Sequence, residues 1–146
     1  LNEAQAPMAL EFAAMQSKEH NITLDIETLL KNRGTETFCL NPLPLFEKIV
    51  TGLQNGDNRS ELARFFHEAL AVMFARGAIE AAHRKNIERV VLSGGCFANR
   101  LLIGAVSKEL RRAGMEVLAH RLVPTGDGGL ALGQAAIGLA ALKEGE

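Results

Sequence analysis

The last third of the chain alternates short apolar runs with helical patterns, and this order constrains the fold more than any other feature. The run VVL at residues 90–92 is β-branched and lies between charge and glycine, which is typical of a buried parallel strand. A helix is predicted over 97–112, ending at Gly114, followed by a strand in MEVLAH and a closing helix in LALGQAAIGLAALK. This order predicts a parallel α/β unit with right-handed crossovers.

The first 86 residues are predicted to be mainly helical. Helices are expected over residues 4–17 and in LPLFEKIVTGLQNG, and the segment between them gives at best short strands near ITLDI and ETFCL. From Asn58 to about Asn86, one apolar stripe lies opposite mostly charged residues, which predicts a long amphipathic helix. The stripe consists of Leu62, Phe65, Phe66, Ala69, Leu70, Met73, Gly77 and Ala81.

Composition excludes several classes of protein. A chain of 146 residues with 47% hydrophobic and 23% charged residues is typical of one globular domain with a real core. The chain has 16 Lys and Arg and 17 Asp and Glu, so it carries no net positive charge that would attract nucleic acid or anionic lipid. No apolar run has the length of a membrane span, and no series of charged, apolar and small residues has the pattern of a signal peptide. We therefore expect neither a nucleic-acid nor a membrane partner.

The cysteines and the start of the chain suggest where the protein works and how much of it is present. Cys39 and Cys96 lack metal-knuckle spacing and are too few for a disulfide framework, so reduced thiols in a cytoplasm are expected. The chain starts at Leu1 in the lead-in to a helix, so we expect an excised piece of a longer protein.

The pair Gly94-Gly95 lies between the first of the two C-terminal strands and the helix that follows it. Ligands of open α/β sheets bind at such strand ends, and glycine lets a ligand approach the main chain closely. The following helix would offer free backbone N–H groups, and Asn99 could aim its amide at a bound nucleotide. The alternative is a structural turn with a solvated Asn99. The pattern matches neither the dinucleotide fingerprint nor the P-loop.

A second glycine-rich turn, PTGDGG at residues 124–129, follows the second of these strands. Asp127 either caps the last helix or presents an oxygen ligand to a metal ion. Two such turns after parallel strands would face one crevice, which favours a ligand-binding site over two purely structural turns. Cys96 could be a nucleophile, but no histidine can be placed beside it as a base, so a small buried residue is expected. His67 is predicted on the exposed side of the long helix.

These stretches resemble the carboxyl-terminal part of the HypF carbamoyltransferases, which mature [NiFe]-hydrogenases. The resemblance is carried by LSGGCFANRLL and PTGDGGLALGQAAI, by NEAQAPMALE, similar to the family's Y-E-G-Q-A-A-M-x-L-E, and by FHEALAVMF, similar to F-H-x-x-L-A. It implies a domain shared with threonylcarbamoyl-transfer enzymes. The implied fold class is α/β, a three-layer parallel or mixed sheet with flanking helices, forming half of an actin-like (ribonuclease H-like) ATPase domain.

The resemblance also implies a nucleotide site and a metal ligand. ATP or carbamoyl adenylate would contact Ser93, Gly94, Gly95, Asn99 and Gly128. Asp127 would bind a divalent metal, zinc being one candidate, with the remaining ligands upstream of this chain. No catalytic residue is implied. Asn2 and Ala4 depart from the family's Tyr and Gly around Glu3, and the family's histidine-rich metal motif has no counterpart here.

The implied function is that of a carbamoyltransferase fragment. Its parent would use carbamoyl phosphate and ATP, via carbamoyl adenylate, to carbamoylate the C-terminal cysteine of a hydrogenase-maturation partner. The fragment alone is expected to be inactive, and apolar surface left open favours a homodimer. Two alternatives stay open: a non-catalytic α/β interaction module whose long helix docks a partner, and a sugar-kinase-like or actin-like ATPase.

Overall fold

The computed structural model describes residues 4–32 and 37–144, and nine α-helices and strands are found within these ranges. In chain order they are α1 (Gln5–Met15), β1 (Leu30–Asn32), β2 (Phe38–Leu40), α2 (Leu43–Asn55), α3 (Arg59–Lys85), β3 (Arg89–Leu92), α4 (Arg100–Arg112), β4 (Glu116–Ala119) and α5 (Leu130–Glu144). Short 3-10 turns lie at Ile26–Leu29, Gly95–Ala98 and Asp127–Gly129.

The predicted strand, helix, strand and helix order of the last third is confirmed. β3 and β4 pair in parallel, with a register that runs from Arg89↔Glu116 to Leu92↔Ala119. The predicted helix over 97–112 is divided, because Asn99 has extended backbone angles between the 3-10 turn and α4. Both strands therefore end at the same edge, and each is followed there by a loop that leads into a helix.

The expected three-layer sheet is not found among the described residues. Their strands form two separate pairs, the antiparallel β1–β2 and the parallel β3–β4. The β3–β4 pair packs its buried face on α3 and α4, but Val91 and Leu118 on the strands are 62% and 41% exposed. The structure is thus a mixed, mostly helical α/β unit with one apolar sheet face uncovered by the described residues.

α3 is the central element of the fold rather than an amphipathic surface helix. One set of its buried residues, including Ala71, Ala75 and Ala82, packs with α4 and β3, whereas Phe65 and Met73 pack with α2 and the segment around Leu29. The single-stripe prediction was wrong because alanine supplies a second buried face, which periodicity in large residues does not reveal. Ala81, assigned to the stripe, is exposed. Since α3 is packed on two sides, it is poorly placed to act as a docking helix.

The polar segment before β1 also differs from prediction. ITLDI forms no strand; Asp25 instead accepts the Glu27 N–H through its side chain at 3.1 Å and caps the 3-10 turn that buries Leu29. β2 lies within ETFCL as expected, although the first residue of that stretch, 36, falls outside the described residues. A side-chain cap therefore replaced the predicted strand pairing.

The two terminal helices leave much apolar surface open. Every described side chain of α5 is exposed, and Leu132, Ile137 and Leu142 are 58%, 66% and 72% exposed. On α1, Met8 and Phe12 are likewise mostly exposed. Among the described residues, no helix combines the length and apolar character that a bilayer-spanning segment requires.

Candidate functional site

The two glycine turns pack against each other at the carboxyl edge of β3–β4. The Gly94 N–H donates to the Thr125 carbonyl at 2.8 Å, and a Cβ on Gly126 would lie 3.6 Å from the Gly95 Cα. Together the turns and the start of α5 enclose a groove of about 440 Å³. Its polar lining includes Ser93, Gly94, Gly95, His120, Thr125 and Asp127. The prediction that both turns face one crevice is confirmed.

Gly94 has a backbone conformation that requires glycine. Its φ of +102° and ψ of 158° fall in a region that residues with a Cβ hardly populate. Gly95 does not have positive φ, and among the described residues no heavy atom beyond its chain neighbours lies within 4 Å of where its Cβ, or that of Gly94, would be. Gly94 thus shapes the turn, whereas Gly95 leaves open space above the main chain.

We expect Gly94→Ala to lower the free energy of unfolding by about 1–3 kcal/mol, because alanine must abandon this backbone conformation and weaken the bond to Thr125. Gly95→Ala is the matched control and should change stability by less than about 0.5 kcal/mol. Urea unfolding of both variants followed by circular dichroism measures the difference. Equal stability of the two variants would show that the turn does not depend on the Gly94 conformation.

Asn99 lies at the start of α4 and is part of a partly buried hydrogen-bond chain. Its Oδ1 accepts the Leu102 N–H at 2.9 Å, which turns Nδ2 toward the Nε2 of His67 at 2.9 Å. Since the amide NH₂ can only donate, Nε2 accepts, and the His67 Nδ1–H donates to the Ala63 carbonyl at 2.8 Å. His67 is 4% exposed, so the prediction of an exposed histidine was wrong: α4 supplies its partner.

The N-terminus of α4 is not free for a ligand, which corrects the expectation from sequence. The Glu11 carboxylate of α1 accepts the N–H groups of Arg100 at 2.7 Å and Leu101 at 3.4 Å, and Asn99 accepts that of Leu102. The protein's own carboxylate therefore occupies the position where an anion would bind a helix N-terminus. A phosphate at this edge of the sheet would therefore have to contact other groups.

Asn99 does not line the groove that contains Asp127. It lines a second, mostly apolar cavity of about 450 Å³ beside α1, and His67, Cys96 and Gly95 line the same cavity. Gly95 lines both spaces. Cys96 is exposed rather than buried, because the 3-10 turn leaves it on the surface instead of in a helix core. Neither cysteine forms a disulfide.

Asp127 is exposed in the groove, and no hydrogen bond to its carboxylate is found among the described residues. It therefore does not act as the side-chain cap considered from sequence; Gly126 stands at the N-cap of its turn. The described residues contain no group of three or more His, Cys, Asp or Glu arranged to hold a metal ion, so Asp127 does not form a complete metal site with them. Glu3 lies outside the described residues.

Two further residues concern the groove: Gly128, which the sequence analysis assigned to the nucleotide site, and His120, which it did not include. A Cβ on Gly128 would lie 3.4 Å from Pro124, so this glycine packs within its own loop. The Nε2 of His120 lies 2.9 Å from the Ser93 Oγ, at the mouth of the groove. His120 could have been found from the parallel pairing of the two strands, because Ser93 and His120 directly follow the last paired residues of β3 and β4.

A family model described as carbamoyltransferase, Kae1-like domain, second subdomain, matches residues 2–134. This chain belongs to the HypF carbamoyltransferase family. The carbamoyltransferase HypF of Synechocystis sp. is 31% identical over 132 residues, which cover 90% of this chain. A solved structure of full-length HypF in the phosphate- and nucleotide-bound form aligns with a TM-score of 0.78 at 30% identity, over 97% of this chain.

The match concerns only part of each HypF relative. The chain spans 16% of the Synechocystis protein and 18% of the solved HypF chain. The carbamoyltransferase HypF of Rhodobacter capsulatus shows the same relation, with 32% identity over 134 residues that make up 17% of that protein. What the similarity establishes is therefore membership of the HypF family and the fold of one subdomain.

Proposed function

We propose that the groove between the two glycine turns binds an adenine nucleotide, as one wall of the active site of a HypF-type carbamoyltransferase. The observation that carries the proposal is the packing of the two turns at the carboxyl edge of a parallel strand pair, where open α/β sheets bind ligands. Support also comes from the related full-length HypF, whose structure is described as phosphate- and nucleotide-bound. In this proposal Ser93, Gly94, Gly95 and Gly128 form the nucleotide-binding loops, and Asn99 holds the helix behind them.

The proposed reaction is carbamoyl transfer from carbamoyl adenylate, made from carbamoyl phosphate and ATP, to the C-terminal cysteine of a hydrogenase-maturation partner. The cysteine sulfur bonds to the carbamoyl carbon, the bond from that carbon to the phosphate oxygen breaks, and AMP leaves while the thiol proton passes to a base or solvent. A fixed groove for the adenylate supports this reaction by holding the electrophile in place. We assign no residue of this chain to the proton transfer.

We further propose that Asp127 contributes one ligand to a divalent metal whose other ligands come from outside this chain. Its exposed carboxylate has no partner among the described residues, and carboxylate oxygen suits such ions. A bound metal would supply Lewis-acid polarisation of a carbonyl or phosphoryl oxygen. The zinc assignment, like the site itself, stays a prediction.

The wider assignments are also proposals. A three-layer, actin-like half-domain would cover the open face of β3–β4 with further helices, which agrees with the exposed Val91 and Leu118. The apolar surface of α5 would then be covered by another part of the HypF protein, or by a second copy in a homodimer. A cytoplasmic location fits the two free thiols. The docking-module alternative is less favoured, since α3 is packed on two faces.

Gly95→Ala tests the proposal because it adds a methyl group above the open main chain without disturbing the fold. If AMP lies on Gly95, the methyl group should weaken its binding about tenfold, equivalent to about 1.4 kcal/mol. Isothermal titration calorimetry of this chain and the variant with AMP gives the two affinities. Wild-type affinity in the variant would place the nucleotide elsewhere.

A further inference from the structure

The pair formed by Ser93 and His120 is a direct product of the parallel register. Leu92 and Ala119 are the last paired residues of β3 and β4, and the next residue of each strand bears one member of the pair. The Ser93 Oγ and the His120 Nε2 lie 2.9 Å apart, although 27 positions separate them in the sequence. Two hydrogen-bonding groups thus meet side by side at the mouth of the groove.

The pair is not explained by stability. Both side chains are exposed, and a solvent-exposed hydrogen bond contributes little to folding because water can replace either partner. Both also line the groove that contains Gly94 and Asp127. Their position indicates that they contact the ligand that binds in that groove.

The electrostatics of the groove favour His120 as the group that meets an anion. Among the described residues that line it, His120 is the only one whose side chain can become positively charged, and Asp127 is the only carboxylate. A phosphate entering this space would be repelled by Asp127, and a protonated imidazole would offset that repulsion. Two sets of backbone donors near the groove are already engaged, because the Arg100 N–H at the start of α4 donates to Glu11 and the Gly94 N–H donates to the Thr125 carbonyl.

We propose that His120 and Ser93 together bind the phosphate of the nucleotide and so select a nucleotide over a nucleoside. In the imidazolium form the Nε2–H of His120 donates to the Ser93 Oγ, which leaves the serine hydroxyl proton and the Nδ1–H of His120 as donors for two oxygens of one phosphate group. Arg121, the charged neighbour of His120 in the chain, is exposed and does not line the groove. The assignment rests on the proposed function, since it names the phosphate contact of that same site.

The test compares AMP, adenosine and inorganic phosphate as titrants of this chain and of three variants. His120→Gln keeps a polar side chain without positive charge, Ser93→Ala removes the hydroxyl, and His83→Gln, at an exposed position of α3, is the control. We expect His120→Gln to weaken AMP binding about tenfold and to leave adenosine binding unchanged. The His120 ring resonances should move on addition of AMP and stay in place with adenosine. Inorganic phosphate should move them weakly, because it lacks the nucleoside contacts.

Each outcome decides the assignment. Equal loss of AMP and adenosine affinity in His120→Gln, or AMP binding with an unmoved His120 ring, would overturn the phosphate role while leaving nucleotide binding by the groove intact. Tighter binding of inorganic phosphate than of AMP would also overturn it, since the site would then be an anion site without nucleotide preference. Binding of none of the three titrants would overturn the phosphate role and the proposed function together.

Discussion

Asp127→Asn, in a full-length HypF enzyme that carries this chain as the second subdomain of its Kae1-like domain, is expected to lower the rate of carbamoyl transfer by a factor on the order of 100 or more. The substitution keeps the size of the side chain and removes the only carboxylate among the described residues that line the groove. Folding should be unaffected, because the carboxylate is exposed and no partner for it is found among those residues. The expected change in unfolding free energy is below about 0.5 kcal/mol.

The measurement is the rate at which the partner's cysteine gains a carbamoyl group, followed by mass spectrometry with saturating carbamoyl phosphate and ATP. Glu47→Gln, an exposed carboxylate of α2 outside the groove, is the control and should transfer at the wild-type rate. A wild-type rate for Asp127→Asn would contradict the metal assignment, and loss of folding in that variant would show a structural role that the exposed position does not predict.

Asn99→Ala should lower the free energy of unfolding by about 2–4 kcal/mol, the second large effect that we expect. Two losses contribute. The helix α4 loses the side-chain cap on the Leu102 N–H, and the buried Nε2 of His67 loses its donor. Since His67 is only 4% exposed, we expect the loss of the donor to its Nε2 to cost more than the loss of the cap.

Asn58→Ala is the matched control, because Asn58 caps α3 in the same way, and no buried side-chain partner for it is found in the part of the chain that the structure describes. Its Oδ1 accepts the N–H groups of Ser60 at 2.8 Å and Glu61 at 3.4 Å at an exposed helix end. Loss of this cap should lower the free energy of unfolding by about 1 kcal/mol. Chemical denaturation of both variants gives the comparison. If Asn99→Ala were no more destabilising than Asn58→Ala, the contact with His67 would contribute nothing.

The parts of the fold that follow from local patterns were predictable from the sequence. The bounds of α3 follow from Asn58 and Asn86, since the first caps the helix start and the second ends it in a left-handed conformation with φ of 54°. The parallel pair β3–β4 follows from two short apolar runs separated by a helix. The common position of the two glycine turns at one edge then follows from the pairing.

Contacts between distant residues were not predictable in the same way. Nothing in the periodicity of α1 indicates that Glu11 caps α4, a contact that spans 89 positions. The burial of His67 depends equally on a partner from another element, so the residue was placed on the wrong face. His120 was the avoidable omission, because the two predicted strands, VVL and MEVLAH, already ended next to Ser93 and at His120, and parallel strands end at the same edge of a sheet.

The most direct test of the central claim is an amide chemical-shift titration of this chain with AMP, with and without a divalent metal. We predict saturable shifts confined to the groove, at Gly94, Gly95, Gly126 and Asp127. The amide of Leu70, which lines the cavity beside α1, should stay in place. Absence of saturable shifts at the groove glycines, or shifts that centre on the α1 cavity, would contradict the claim that this groove binds the nucleotide.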